Sequence, residues 1–203
     1  MREGLRCAAH HEMKKPWNDE SGDWHDLDGP LQAVRYRTIA RLVASVCQGW
    51  PRSILDVGCG QGILRDYLLE CDYFGIEPSR IAARAASARS GQDHIFCGVA
   101  AEFGPNGRTF SVVVFNEMLY YTPDPVAILC KFAPLAPVFI VSIFQRRLSV
   151  KEWLEHRVNR SMTNVGCTRL ILKFAANHGW TIESDELVEN RWRIFAMRPP
   201  PVI

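Results

Sequence analysis

Hydrophobic positions recur along this chain in two alternating patterns, short unbroken runs and runs with helical spacing. From Pro30, which suits a first helical turn, apolar residues recur on one face as far as Val46, and Gly49 and Pro51 then end the pattern. Short apolar runs predict strands at 53–57, 73–76, 94–97, 110–115 and 137–144. The intervening helical spacing predicts helices at 63–71, 79–89 and 124–135.

The last quarter of the chain departs from this alternation. Helices are predicted at 148–160 and 168–178, and two successive strands at 181–188 and 191–197. The short break at Glu189-Asn190 predicts a hairpin between these strands. The order predicts an α/β fold with a doubly wound, mostly parallel seven-stranded sheet and an antiparallel edge hairpin. We assign 30–203 to this domain, and the polar segment 1–29 to an amino-terminal arm or lid.

Composition and charge narrow the class of protein. With 203 residues, 47% of them hydrophobic and 23% charged, the chain has the make-up of one globular domain. The 24 basic and 22 acidic residues give a net charge of +2, without the concentrated basic excess of a nucleic-acid-binding domain. Charges or prolines interrupt every apolar run before the length of about 18 residues that a membrane span needs. We therefore expect a monomer or homodimer with no specific nucleic acid and no membrane as partner.

The cysteines indicate a reducing compartment. The seven cysteines are odd in number and scattered, and no CxxC pair occurs among them, which argues against a disulfide framework and against a zinc ribbon. His10 and His11 lack a third ligand nearby, so we expect no metal site. The first residues contain charges throughout and no apolar segment of the kind found in secretory signals, so we expect the protein in the cytoplasm.

A glycine-rich turn follows the first predicted strand. Gly58, Gly60 and Gly62 would let the backbone approach a bound ligand closely. The spacing is not the dinucleotide fingerprint, because Ile63 occupies its third glycine position. Glu77 lies at the end of the next strand, where a carboxylate can accept hydrogen bonds from both hydroxyls of a ribose. The alternative is a plain tight turn and a solvated strand end.

Three segments together resemble a known family. They read ILDVGCGQG at 54–62, YFGIEPS at 73–79 and FSVVVFNEMLYYTPDP at 110–125. In this order they resemble the class I S-adenosylmethionine-dependent methyltransferases, especially the small bacterial type that acts on small molecules. The resemblance is clear over 53–144 and implies the Rossmann-like methyltransferase fold.

The resemblance also implies a cofactor, S-adenosyl-L-methionine, and the residues that bind it. In the family the glycine turn passes under the methionine portion, the acid at Asp56 holds the ammonium and the acid at Glu77 binds the ribose. Val99 stands where the family often has an acid for the adenine amino group, which leaves either the backbone of Ala100 or the acid Glu102 for that contact. The implied cofactor residues are Asp56, Gly58, Cys59, Gly60, Gly62, Glu77, Pro78, Val99, Ala100 and Asn116.

Arg35 adds a candidate that the spacing itself suggests. It falls inside the apolar arc of the first helix, and a buried guanidinium needs an anion, such as the cofactor's carboxylate or an acidic substrate. The alternative is an arginine whose head group reaches the surface.

Catalysis by methyl transfer chiefly requires that a nucleophile be held in line with the C–S bond, so no fixed motif identifies the catalytic residues. The candidates for a base or for orienting the substrate are His25, Glu117 and His156. The candidates for substrate binding are aromatic: Trp24, Tyr36, Tyr120 and Tyr121.

These features predict an enzyme that methylates an oxygen or nitrogen of a small molecule, in metabolite biosynthesis or tailoring. An RNA or protein methyltransferase remains open, as does a cofactor-binding regulator without turnover. A nicotinamide-dependent dehydrogenase fits less well because of Ile63.

Overall fold

The computed structural model describes residues 27–49, 51–68, 71–90, 94–145 and 164–201. Most of the predicted arm, the helix predicted at 148–160, and the candidates Trp24, His25 and His156 lie outside these ranges. The described α-helices are α1 (Pro30–Val46), α2 (Arg80–Ser90), α3 (Pro125–Phe132) and α4 (Asn164–Asn177). The strands are β1 (Ser53–Val57), β2 (Asp72–Glu77), β3 (Ile95–Cys97), β4 (Val112–Asn116), β5 (Phe139–Phe144), β6 (Thr181–Val188) and β7 (Trp192–Arg198).

The seven described strands form one sheet in the order β3-β2-β1-β4-β5-β7-β6. The first five are parallel, and β7 runs antiparallel to both β5 and β6. The predicted mostly parallel sheet with an antiparallel edge hairpin is therefore confirmed. The hairpin turns at Glu189 and Asn190, which both have a φ of +50°, and the N–H of Arg191 donates to the carbonyl of Val188 to close the turn.

One predicted helix is wrong in type and length. Residues 63–71 were expected to continue as a helix, but the structure has a 3-10 helix over Ile63–Tyr67. Leu68 already leaves the helical region, with φ −112° and ψ 77°. This short segment suffices because the chain must reverse within a few residues to begin β2 at Asp72, and 3-10 helices serve as such short connectors.

The core lies on both faces of the sheet. All five residues of β4 are buried, and its side chains alternate between two hydrophobic clusters. Val112 and Val114 face the cluster that includes α1, while Phe115 on the other face packs edge-on against Phe132 of α3 and against Phe139 of β5. None of the helices in the described ranges combines the length and the apolarity needed to cross a membrane.

The topology determines where a ligand can bind. From β1 the chain moves outward through β2 to β3, and it then crosses to β4 on the other side of β1. Parallel sheets of this kind open a crevice at the carboxyl ends of the strands, at the point where the direction of winding changes. Here that crevice lies between β1 and β4, and it is bordered by residues 58–62 and 117–121.

Truncation of Phe115 to alanine tests the two-sided core. Phe115 is fully buried between two aromatic rings, so we expect Phe115→Ala to lower the free energy of unfolding by about 3–5 kcal/mol in urea titrations. Ile81→Ala on the outer side of α2, where the side chain is 47% exposed, is the control and should change it by less than about 0.5 kcal/mol. Similar costs for the two variants would contradict the packing described.

Candidate active site

The glycine turn has the geometry that its sequence predicts. Gly58, Gly60 and Gly62 have φ values of +77°, +55° and +75°, a region that glycine occupies without strain. A Cβ at Gly58 would lie 2.6 Å from the Cβ of Met118, so the turn packs directly against the segment that follows β4. No atom lies within 4 Å of the corresponding position at Gly60, so this side of the turn is open.

Glu77 is hydrogen-bonded to the turn. Its Oε2 accepts from the backbone N–H of Gly60 at 2.9 Å and its Oε1 from the N–H of Ser79 at 2.8 Å. Burial raises the pKa of Glu77, and these two hydrogen bonds partly oppose the rise. A carboxylate offers about four lone-pair positions, so acceptor capacity remains for a ligand beside the turn. Glu77 thus lies beside the glycine turn with acceptor capacity to spare, and its contact with a ribose stays a prediction.

Asp56, on β1, is fully buried. The hydroxyl of Tyr73 donates to its Oδ2 at 2.7 Å, while its Oδ1 has no hydrogen-bond partner among the described residues. Burial raises the pKa of Asp56 to about 7, although the hydrogen bond from Tyr73 and the charge of Arg35 act in the opposite direction. Asp56 is therefore a poorly compensated acid at the start of the crevice.

Arg35 is buried, as its place in the apolar arc predicted, with 3% of its surface exposed. Its guanidinium lies 4.6 Å from the ring centre of Tyr36 and 5.8 Å from that of Trp192. Its Nη1 lies 3.9 Å from Oε2 of Glu117, so the protein itself supplies one anion. Its Nε, however, has no hydrogen-bond partner within the described ranges, so capacity for a second anion remains.

Glu117 follows the last residue of β4 in a strained backbone conformation. Its φ of +60° is unusual for a residue with a side chain and costs on the order of 1–3 kcal/mol. Its N–H donates to the carbonyl of Ser142, and its Oε1 accepts from the Ser142 hydroxyl at 2.8 Å. Burial raises the pKa of Glu117, whereas the Arg35 charge and the hydrogen bonds from Ser142, Tyr120 and Trp192 lower it.

Two groups of tyrosines flank these charges. Tyr36 is buried and stacks on Tyr67 with the ring centres 5.4 Å apart. Tyr120 and Tyr121 lie with ring centres 4.5 Å apart, and the hydroxyl of Tyr120 donates to Oε2 of Glu117 at 3.0 Å. The structure therefore brings three of the four aromatic candidates to the crevice, and the fourth, Trp24, lies outside the described residues.

The adenine side of the candidate site is less defined. Pro78 is partly buried directly after Glu77. Val99 is 37% exposed and hydrophobic, while Ala100 beside it is buried. Val99 has no polar side chain to meet an adenine amino group, and a contact from the backbone of Ala100 or from Glu102 stays a prediction.

Three residues of this site were missed from the sequence, namely Tyr73, Ser142 and Trp192. A signal existed for Ser142, because it is the single polar residue in the otherwise apolar strand β5 and is fully buried. For Asn116, predicted at this position, the structure shows a buried side chain whose Oδ1 has no partner in the described part of the chain.

Comparison with known proteins shows the family to which the chain belongs. Residues 24–189 match the model of a family described as a methyltransferase domain. The chain is also 30% identical over 135 residues to the ubiquinone biosynthesis O-methyltransferase of Vibrio cholerae serotype O1, which covers 62% of this chain and 55% of that protein. The chain thus spans about half the length of the curated relatives it matches.

Solved structures share the fold. The N-methyltransferase NodS from Bradyrhizobium japonicum WM9, crystallised with S-adenosyl-L-homocysteine, superposes with a TM-score of 0.67 at 16% identity, covering 93% of this chain and 96% of NodS. The plantazolicin methyltransferase BpumL, in complex with a desmethyl substrate analogue and the same compound, gives a TM-score of 0.64 at 14% identity, covering 89% of this chain and 90% of BpumL.

The raised pKa of Asp56 predicts how stability depends on pH. Between the ordinary value of 3.8 and about 7, the folded protein holds a proton that the unfolded chain has released, so stability should fall as pH rises through this window. The contribution of Asp56 to the pH dependence of the free energy of unfolding is on the order of a few kcal/mol. Asp56→Asn removes it, so urea unfolding at pH 5 and pH 8 should show a smaller loss in this variant than in wild type.

The matched control is Asp72→Asn, the same substitution at an exposed position on β2, which should follow the wild type. An Asp56→Asn protein that loses as much stability as wild type between the two pH values would contradict the assignment.

Proposed function

Because the chain belongs to the class I S-adenosylmethionine-dependent methyltransferases, we propose that it transfers the methyl group of S-adenosylmethionine to an oxygen or nitrogen of a small molecule. The observation that carries this proposal is the open glycine turn, hydrogen-bonded to buried Glu77 at the crevice between β1 and β4. The crystallised relatives NodS and BpumL contain the demethylated product of the same cofactor, in agreement with this proposal.

The buried polar groups fit the cofactor. Its amino-acid end carries an ammonium, which suits the unpartnered Oδ1 of Asp56, and a carboxylate, which suits the unpartnered Nε of Arg35. Asn116 offers a further unpartnered acceptor at the end of β4. A buried polar atom without a hydrogen-bond partner costs free energy. A ligand that supplies the missing partners therefore binds more tightly.

When bound, S-adenosylmethionine supplies a methyl group attached to a positively charged sulfur. After transfer, the rest of the cofactor is a neutral thioether. The protein then has to orient the acceptor and exclude water. Tyr36, Tyr120 and Tyr121 provide aromatic surface for a cation or for a substrate ring.

For the acceptor we propose a class of atoms, and for the biological role a general area of metabolism. One similar protein is named as an O-methyltransferase of ubiquinone biosynthesis and another as an N-methyltransferase, so we retain both acceptor atoms and propose metabolite biosynthesis or tailoring as the role. The six cysteines in the described ranges are free thiols, in keeping with our proposal of a cytoplasmic protein.

The experiment that tests this function measures transfer of a labelled methyl group. Protein, methyl-labelled S-adenosylmethionine and a small-molecule extract of the source cells should give a labelled product that is absent with heat-inactivated protein. Calorimetry should show binding of S-adenosylmethionine and its demethylated product but not of NAD. Cofactor binding without any labelled product would instead support a regulator, and label found only in RNA or protein would support the alternative substrates.

Removal of the Glu77 charge tests the cofactor site. Glu77→Gln keeps the size of the side chain but loses the charge-assisted hydrogen bonds, so the affinity for S-adenosylmethionine should fall by about 1–3 kcal/mol in calorimetry. Glu183→Gln is the control, because Glu183 pairs with Arg198 on the edge strands. Unchanged affinity in a Glu77→Gln protein with a normal melting temperature would contradict the assigned ribose contact.

A further inference from the structure

Hydrogen bonds with Ser142 fix both the backbone and the side chain of Glu117. Its left-handed backbone persists because the N–H and the side chain of the same residue both bind Ser142 of the neighbouring strand. Strained non-glycine residues of this kind are retained mainly at functional sites. The fixed backbone aims the carboxylate in one direction, between α1 and the two tyrosines that follow β4.

The donors around Glu117 leave one part of the carboxylate available. Ser142 donates to Oε1, Tyr120 donates to Oε2, and the indole of Trp192 donates as well. The Arg35 guanidinium stands 3.9 Å from Oε2, close enough to offset charge but beyond a hydrogen bond. Since a carboxylate has about four acceptor positions, about one remains for a further donor.

Glu117 lies close to the turn that we assign to the cofactor, which carries the methyl group to be transferred. Met118, the next residue, packs against Gly58 of the turn that we assign to the cofactor. Asn116, the preceding residue, ends the strand that borders the crevice. Glu117 therefore lies beside the cofactor turn and opens toward the aromatic residues proposed to hold the substrate.

We propose that Glu117 is the base of the reaction and that the acceptor is accordingly a hydroxyl or an amine, not a carboxylate. This inference rests on the proposed function. The acceptor's lone pair forms the new bond to the methyl carbon, the electron pair of the C–S bond stays on sulfur, and the acceptor's proton passes to Oε2 of Glu117. An acidic acceptor would bring a second anion against the Glu117 carboxylate, whose side chain is only 16% exposed. Arg35 already faces Glu117 and is assigned to the cofactor's carboxylate, so this second anion would lack a cation and would be unfavourable.

Ser142 is a positioning residue in this scheme. Its hydroxyl fixes Oε1 and favours the charged form of Glu117, so its loss should make the base harder to deprotonate. Among the described residues, the charged and titratable groups that face Glu117 are Arg35 and Tyr36 from α1 and Tyr120 and Tyr121 from the segment after β4. The described residues of β5 and β7 add the neutral Ser142 and Trp192.

The acceptor class can be tested without knowing the acceptor. Labelled product from the extract assay is treated with mild alkali, which releases methyl groups of carboxylate esters as methanol but leaves ethers and methylamines intact. We expect alkali-stable label. Alkali-labile label would overturn the inference while leaving methyl transfer itself established, whereas a wild-type protein that gives no label would overturn the proposed function.

Three variants test the role of Glu117. Glu117→Gln should lower the rate about 10²–10⁴-fold and abolish its rise with pH, while calorimetric affinity for S-adenosylmethionine stays within about threefold. Ser142→Ala should keep most of the rate at high pH but move the rise to higher pH, and Ser111→Ala, the control at the amino end of β4, should leave the profile unchanged.

Infrared spectroscopy gives a readout that is independent of turnover. In protein loaded with S-adenosylhomocysteine, wild type should show a carboxyl band that titrates and is missing in Glu117→Gln. A Glu117→Gln protein that retains the wild-type rate and pH profile, or a carboxyl band unaffected by the substitution, would overturn the assignment.

Discussion

The crevice at the carboxyl end of the sheet contains more buried acid than buried base. Asp56 lies one residue before the end of β1, Glu77 ends β2, and Glu117 follows β4. Asp56 and Glu77 are buried and the side chain of Glu117 is 16% exposed, whereas Arg35 is the only buried cation among the residues that the structure describes. Withdrawing a carboxylate from water is costly unless charges or donors replace the water. Each acid therefore has its own donors: Tyr73 for Asp56, two backbone N–H groups for Glu77, and Ser142 with Tyr120 for Glu117. The need for donors at each carboxylate thus accounts for the polar side chains around the site.

The fold makes that concentration of charge possible. Strands that are covered on both faces offer no exposed position along their length, so polar groups collect where the strands end. Parallel pairing brings three such ends together, with Val57 of β1 beside Ile76 of β2 and Phe115 of β4. The close packing also requires small residues nearby. A Cβ at Gly75 would lie 2.6 Å from the sulfur of Cys59, so the glycine turn can fold back over β2 only because position 75 lacks a side chain.

Local pattern was sufficient for the strands and for the glycine turn, because each depends on periodicity within a few residues. It placed Arg35 in the apolar arc of α1 but left burial and a surface head group as alternatives, and the structure shows that Arg35 is buried. The contacts that define the site depend on register between strands. Tyr73 meets Asp56 across 17 positions of sequence, and Ser142 meets Glu117 across 25. Neither pairing follows from spacing along the chain. The 3-10 helix at Ile63–Tyr67 shows the same limit, since its apolar spacing is typical of a longer helix but the chain leaves the helical region at Leu68, close to the start of β2 at Asp72.

The excess of acid also bears on how a methyltransferase of this kind would exchange its ligands. S-adenosylmethionine carries one net positive charge, whereas its demethylated product carries none, because the sulfonium has become a thioether. The buried acids Asp56 and Glu77 outnumber Arg35, the buried cation of the described residues, and their charge favours the positive form. If the acceptor's proton moves to Glu117, one negative charge is removed from the crevice in the same step that removes the positive charge of the sulfur. The local charge balance is thus kept through the reaction, and release of that proton to solvent restores the carboxylate of Glu117 for the next turnover.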